Sequence, residues 1–330
     1  MDNTIRRFIY VDNNVNTMAY IETIKRGKKS FFYLTQTIRY NNKYKKIRWF
    51  LGKGQISKKK LEEKAKNAEQ ELSKKVLQFK KTPSLYSLNY KDEKDLQIIK
   101  KKYKEIIQNL SKVEYEVIEK QHLIHFTFNT NAIEGSTISL SETAHILEDG
   151  LVPANHTSRE IHEVENTKKA YEFIKKYKGE VSSLLIKKIH YNLTYNILNE
   201  QAGKFRRIQV YMIGSQHKPP SASQVQDEMK KLMRWIKNHK DLHPIVIASY
   251  VHHYFIAIHP FIGGNGRTGR LLLNFMLMKS GFPPICIRLK ERIKYIDFLE
   301  RSRDGNTDDF INFVIQKVHE SFKDIAANTK

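Results

Sequence analysis

HPFIGGNGRTGR, residues 259–270, lies between the apolar run PIVIASYVHHYFIAI (244–258) and a second one, LLLNFMLM (271–278). The first run is apolar on nearly every side, which predicts a buried helix. Pro260 stops it, because the residue before a proline is driven out of the helical region, so His259 is held at a rigid helix end. Gly263, Gly264 and Gly266 permit positive φ angles and close backbone approach, and Arg267, Thr268 and Arg270 then open the next helix. A helix N-terminus offers unpaired N–H groups and a partial positive charge, so a glycine-rich entry to one is a cradle for phosphate. A glycine turn before a helix is common. Joined to a helix-end histidine, an asparagine and two arginines three residues apart, it becomes specific, because guanidinium forks match phosphate oxygens.

Working outward, the chain from Val113 reads as a succession of helices. Ser139 and Glu142 form a capping box before an apolar run that stops at Gly150 and Pro153. Further helices are predicted over Ser158–Lys178, Val181–Leu198, Ala222–Asn238, Pro244–Ile258, Arg267–Ser280 and Asp308–Phe322. Between them FRRIQVYMIGSQHKPPSAS (205–223) alternates and then turns at Gly214 and Pro219-Pro220, which predicts a two-stranded flap, a plain loop being the alternative. Near the front, FFYLTQTIRY and KYKKIRWFL flank Asn41-Asn42 and predict a β-hairpin. The expected organisation is mainly α: a β-rich basic region over 1–56, a helical basic connector over 57–112 and a helical domain over 113–330. A boundary signal lies between Thr82 and Asp95, around Pro83.

The composition of the 330 residues, 40% hydrophobic and 11% aromatic, supports a sizeable core and argues against disorder. The net charge of +23 is uneven, since residues 1–120 hold 29 basic and 14 acidic groups. Such a balance favours acidic partners, with a lysine-rich solubilising surface as the plainer alternative. Cys286 is the single cysteine, so no internal disulfide or cysteine-rich zinc site is expected. His252-His253 suggests a metal site weakly, and buried helical histidines are the plainer account. The first residues lack a secretory signal, and no run has the ~18 apolar residues of a membrane helix, so the expectation is a cytoplasmic protein with no membrane contact.

The 259–270 segment resembles the signature of the Fic (Fido) family of nucleotide transferases: His, any, Phe, any, Asp or Glu, Gly, Asn, Gly, Arg, any, any, Arg. Every fixed position but one matches, and the segment from Thr130 to about Ser321, roughly three-fifths of the chain, resembles the family's helical core. The resemblance implies that 113–330 is a Fic domain with an inhibitory helix, acting as a protein adenylyltransferase that moves AMP from ATP to a Ser, Thr or Tyr hydroxyl. His259 is then the general base, and Phe261 packs the loop. Gly264, Asn265, Gly266, Arg267, Thr268 and Arg270 bind the nucleotide's phosphates. The exception is Gly263, where the family carries the acid that holds Mg²⁺. Glycine offers no ligand, so Mg²⁺ or Mn²⁺ is expected to be weakly held and activity reduced.

Upstream, TNAIEG (130–135) resembles the family's inhibitory motif, in which Glu134 engages Arg270 in place of the γ-phosphate; a helix end before a glycine cap is the plainer reading. The resemblance also implies that the flap, with Ile213 and Gly214, positions the target by strand addition and that Tyr295 contacts the base. Arg303 stands where many relatives have an asparagine, which loosens the adenine preference. Self-modification and a homodimer remain open. The rival reading is a catalytically weak or inactive nucleotide-binding or regulatory protein whose basic front binds nucleic acid, with Tyr40, Tyr44 and Trp49 interleaved among lysines and Arg48.

Overall fold

The computed structural model describes residues 8–9, 19–27, 29–40, 43–81, 88, 90–212, 215, 217–303 and 307–329. The chain divides into two units, Met1–Ser87 and Leu88–Lys330.

In the first unit, β1 (Phe8–Ile9), β2 (Ala19–Arg26), β3 (Lys29–Tyr40) and β4 (Lys43–Lys53) form one antiparallel sheet in chain order, followed by α1 (Lys58–Lys81). Side chains alternate across a strand, so one face collects Ala19, Ile21, Leu34, Ile47 and Trp49. Leu61, Ala65, Ala68 and Leu72 recur at helical spacing along α1 and close over that face. The expected hairpin is β3–β4, extended by β2; its Asn41-Asn42 turn lies outside the described residues.

The second unit contains α2 (Tyr90–Asn109), α3 (Lys112–Ile133), α4 (Leu140–Glu148), α5 (Ser158–Lys176), α6 (Ser183–Thr194), α7 (Val225–Asn238), α8 (Pro244–Ile258), α9 (Asn265–Lys279), α10 (Arg292–Arg303) and α11 (Asp308–Ala327). The two helices read from the sequence as one connector over 57–112 therefore fall in different units: α1 packs on the sheet and α2 on α11. A helix's spacing reveals that it has an apolar stripe but not what covers it. The capping box at Ser139 is made in both directions, with Ser139 N donating to Glu142 and Glu142 N to Ser139.

The centre is the pair α8 and α9. Helix α8 packs on α7, α10 and α11, while α9 packs on α3, α5 and α6. Pro244 at the first turn of α8 forfeits only an N–H that has no intrahelical partner. Gly269 lets the two helices approach, since a Cβ there would meet Ile256 Cδ1 at 2.8 Å.

The 205–223 segment is not a strand pair among its described residues. Its two limbs are bridged by side chains instead: Arg206 Nη2 donates to Pro220 O (2.6 Å) and Gln209 Nε2 to Pro219 O (3.3 Å). Prolines have no N–H to give to a ladder, so the second limb is tied by its carbonyls. Ile213 and Gly214 lie outside the described residues. Among the described residues no helix is long and apolar enough to cross a membrane.

Candidate active site

His259 terminates α8 in the left-handed conformation (φ 49°, ψ 59°), where its N–H still reaches Phe255 O. Such a backbone costs on the order of 1–3 kcal/mol for a non-glycine residue and persists only where the surroundings enforce it. They do so here through Arg206. This fully buried side chain donates from Nε to His259 O (2.9 Å), from Nη1 to Ile208 O (3.0 Å) and from Nη2 to Pro220 O, while its backbone N–H meets Pro260 O (2.9 Å). Burial pushes the Arg206 pKa down. The three carbonyls accept from three of its five N–H donors, and the 205–223 segment is thereby fastened to the backbone of His259.

The loop after His259 is closed from inside. Phe261 is fully buried, and His190 of α6 stacks on it at 3.7 Å with the rings 6° from parallel. Burial holds His190 at a pKa of about 4, so it is neutral at pH 7. Gly203 N donates to its Nδ1 (2.9 Å), which puts the ring proton on Nε2, and that proton goes to Gly263 O (2.9 Å). The Asn265 amide turns inward: its Oδ1 accepts from Phe261 N (3.0 Å) and its Nδ2 donates to Phe261 O (2.9 Å). Thr268 is also buried, with its hydroxyl on Gly264 O (2.8 Å). The Asn265 amide and the Thr268 hydroxyl thus shape the loop, while the first backbone N–H groups of α9 have no carbonyl four residues earlier in the helix, the kind of end that suits an anion. Gly264 caps this helix at φ 71°.

The two arginines have separate partners. Arg267 donates from Nη2 to Glu163 Oε1 of α5 (3.2 Å) and from Nη1 to Asn131 Oδ1 of α3 (3.4 Å). Arg270, 2% exposed, lies against the C-terminal end of α3. Its Nε donates to Thr130 Oγ1 (2.7 Å), and its Nη2 to Thr130 O (2.9 Å) and to Glu134 Oε1 (2.7 Å). Glu134 is the C-cap of α3, and its carboxylate overlies the first turn of α9 so closely that a Cβ on Gly266 would collide with Oε1. Burial raises the Glu134 pKa, but the charges of Arg270 and Arg267 outweigh it and hold the carboxyl below its ordinary value. Burial likewise opposes the Arg270 charge, and Glu134 together with Tyr295 more than compensates. The anion corner is therefore filled by a carboxylate. A cavity of about 540 Å³ lies elsewhere, between α3, Cys286 and α11.

Tyr295 is 2% exposed, with its hydroxyl 2.8 Å from His252 Nε2 and its ring 5.9 Å from the Arg270 guanidinium carbon. His252 is neutral, its pKa pushed down to about 4 by burial. The side chain of Arg303 lies outside the described residues. At Gly263 a Cβ would meet only Leu198 Cδ1 at 3.5 Å, so the position is open, but glycine supplies no metal ligand. Among the described residues no cluster of three His, Cys, Asp or Glu is placed to hold a metal ion. The sequence reading missed Glu163, His190 and Arg206. Glu163 and His190 left a trace, as polar residues at apolar-stripe spacing, beside Ile161 and Val164 in one case and Ile186 and Ile189 in the other. Arg206 left none.

The helical core crosses two buried helices and bends between them through a histidine and three glycines, with two arginines in the first turns of the second helix. Residues 180–277 match the family model for the Fic/DOC family: the chain carries a Fic/DOC domain. It is 34% identical over 199 residues to a protein named protein adenylyltransferase Fic from Drosophila persimilis, covering 59% of this chain and 38% of that protein. A protein of the same name from Nematostella vectensis is 33% identical over 215 residues, 63% of this chain and 49% of that one. The chain thus spans less than half the length of these curated relatives. Fic-1 (residues 134–508) from C. elegans superposes with a TM-score of 0.64 at 26% identity, covering 80% of this chain and 77% of that chain. A Fic-domain signaling protein from Bacteroides thetaiotaomicron shares the fold, with a TM-score of 0.64 at 22% identity over 71% of this chain and 97% of that one.

Proposed function

We propose that this protein transfers AMP from ATP to a hydroxyl side chain of a protein, and that Glu134 restrains the reaction. The observation that carries the reading is the Glu134 carboxylate on Arg270, laid over the N-terminal turn of α9. A group of that charge in that corner competes with a phosphate for the same fork of donors. In the reaction, the target hydroxyl oxygen bonds to the α-phosphorus, the bond to the bridging oxygen breaks, pyrophosphate leaves, and His259 takes the hydroxyl proton. The α9 N–H groups and Arg270 neutralise the phosphates. Arg267 takes part only by loosening from Glu163. Tyr295 backs Arg270 and forms the wall toward the base. Gly263 gives a divalent ion nothing to bind, so no step here is assigned to a metal held by the chain; Mg²⁺ or Mn²⁺ enters with the ATP.

The target is a Ser, Thr or Tyr hydroxyl presented along the 205–223 segment, where Ile213 and Gly214 are assigned the contact. The chain itself is one candidate target, and a homodimer would present one copy to the other. The test is incubation of the parent, Glu134→Gly and His259→Ala with α-labelled ATP and Mg²⁺. Label should appear on protein with Glu134→Gly and vanish when His259→Ala is added. If Glu134→Gly binds ATP yet transfers no label to any protein in a mixed extract, the rival holds: a nucleotide-binding regulatory protein without turnover.

A further inference from the structure

His259, Arg267, Arg270 and Glu134 all belong to the second unit, and the sheet of the first unit has a second face. Helix α1 covers the side carrying Leu34, Ile47 and Trp49, so Trp49 belongs to the core rather than to a binding surface. The register puts Arg48 opposite Thr35 and Phe50 opposite Tyr33, on the other side of the sheet. There Glu22 accepts from Lys46 Nζ (2.7 Å), Arg48 Nη2 (3.2 Å) and Thr35 Oγ1 (3.1 Å), which sets the two cations side by side. The Tyr33 and Phe50 rings meet at 5.5 Å, and Phe50 remains 51% exposed. Beyond the bulge at Phe32/Tyr33, Lys53 pairs with Phe31 and is exposed. Within the unit, no described helix packs on this face.

We propose that this open face docks on duplex DNA. Residues 1–87 carry 21 basic and 7 acidic side chains, a net +14. Glu22 is the one acid at a described outward position of the sheet, and it is already engaged by Lys46 and Arg48. With cations in excess and its one acid engaged, this surface fits a polyanion. Among the described residues β4 is the edge strand of the sheet, paired only with β3, and its Lys46, Arg48 and Phe50 share the open face, so this edge can be laid along a major groove about 12 Å wide. Lys46, Arg48 and Lys53 then meet phosphates, while the Tyr33–Phe50 pair lies against sugars and base edges.

The test is fluorescence anisotropy of the full chain with a labelled mixed-sequence duplex of about 20 base pairs, with single-stranded DNA and duplex RNA of equal length alongside, between about 50 and 200 mM salt. The parent should bind the duplex with Kd in the ~1–100 μM range. Lys46→Ala/Phe50→Ala/Lys53→Ala should weaken binding at least tenfold, and the slope of log K against log salt should fall by nearly two, ~0.9 for each phosphate-bound lysine. Lys53→Glu, a single exposed change that leaves the Glu22 cluster intact, should weaken it several-fold. Lys59→Ala/Lys66→Ala on the exposed side of α1 removes equal charge and should change Kd less than about twofold. The proposal is overturned if the α1 control loses as much as the sheet variant, if the duplex does not bind, or if single strands or duplex RNA bind better than duplex DNA.

Discussion

Removing the Glu134 carboxylate should open the nucleotide site, and the structure sets the size of the effect. The contact is one charge-assisted bond of 2.7 Å between Oε1 and Arg270 Nη2. Hydrogen bonds to charged groups contribute about 1.5–3 kcal/mol. Arg270 has only 3% of its side chain exposed but Glu134 has 35%, so solvent reduces this to about 1–2 kcal/mol. At 1.4 kcal/mol per decade, Glu134→Gly should tighten apparent ATP affinity by ~5- to 30-fold. Glu134→Gln, which keeps volume and removes charge, should fall between variant and parent. Arg270 retains Thr130 Oγ1 and O, so the fold should survive with a lowered Tm that ATP restores more strongly than in the parent. The assay is titration with a fluorescent ATP analogue beside a thermal-shift series. Affinities within twofold for parent and both variants would refute the reasoning, because a carboxylate that costs ATP nothing does not compete with it.

Three further outcomes are expected. Gly263→Asp has room for its side chain, with Leu198 Cδ1 at 3.5 Å from the new Cβ, and should raise Mg²⁺-dependent transfer by about 10- to 100-fold when combined with Glu134→Gly; a metal titration showing no gain would remove position 263 from the account. Arg206→Met leaves His259 O, Ile208 O and Pro220 O without their donor and should cost about 2–4 kcal/mol of stability in denaturant melts, with a larger loss in kcat than in ATP binding. Glu22 is held at a pKa of about 2, chiefly by its Arg48 hydrogen bond, against burial and with help from Lys46. Its folded pKa is depressed, so its stabilisation is present above about pH 4.5 and is lost as pH falls toward 2. Discounted for cations that are 37% and 39% exposed, it amounts to about 1–3 kcal/mol. Amide exchange in β2 and β3 should show the advantage of the parent over Glu22→Gln shrinking across that window.

The Arg206 and Glu22 cases mark where legibility in the sequence stops. Both are charged residues in short polar-looking stretches, and each becomes meaningful only through partners on other segments. The Lys- and Glu-rich run over 57–112 is similar: its helices and a boundary signal between Thr82 and Asp95 were readable, but that α1 packs on the sheet and α2 on α11 was not. The flap was read from alternation and prolines, but prolines also remove the donors that a ladder needs, and the structure bridges the limbs with Arg206 and Gln209 side chains.

What the sequence determined by itself is local. Proline at 244 and 260, glycine at 264 and 266 and the Ser139/Glu142 box fix where helices begin and end, because backbone sterics and end-group hydrogen bonds act within a turn or two of chain. The histidine at a helix end and the anion corner beside it follow from those rules. Only the tertiary structure decided which donors remain for a ligand. Packing α3 and α5 against α9 gave Arg270 to Glu134 and Arg267 to Glu163, and it turned the Asn265 amide back on Phe261. Buried polar groups must find partners wherever the fold brings them, and partners 136 and 104 residues away along the chain are set by packing, not by spacing.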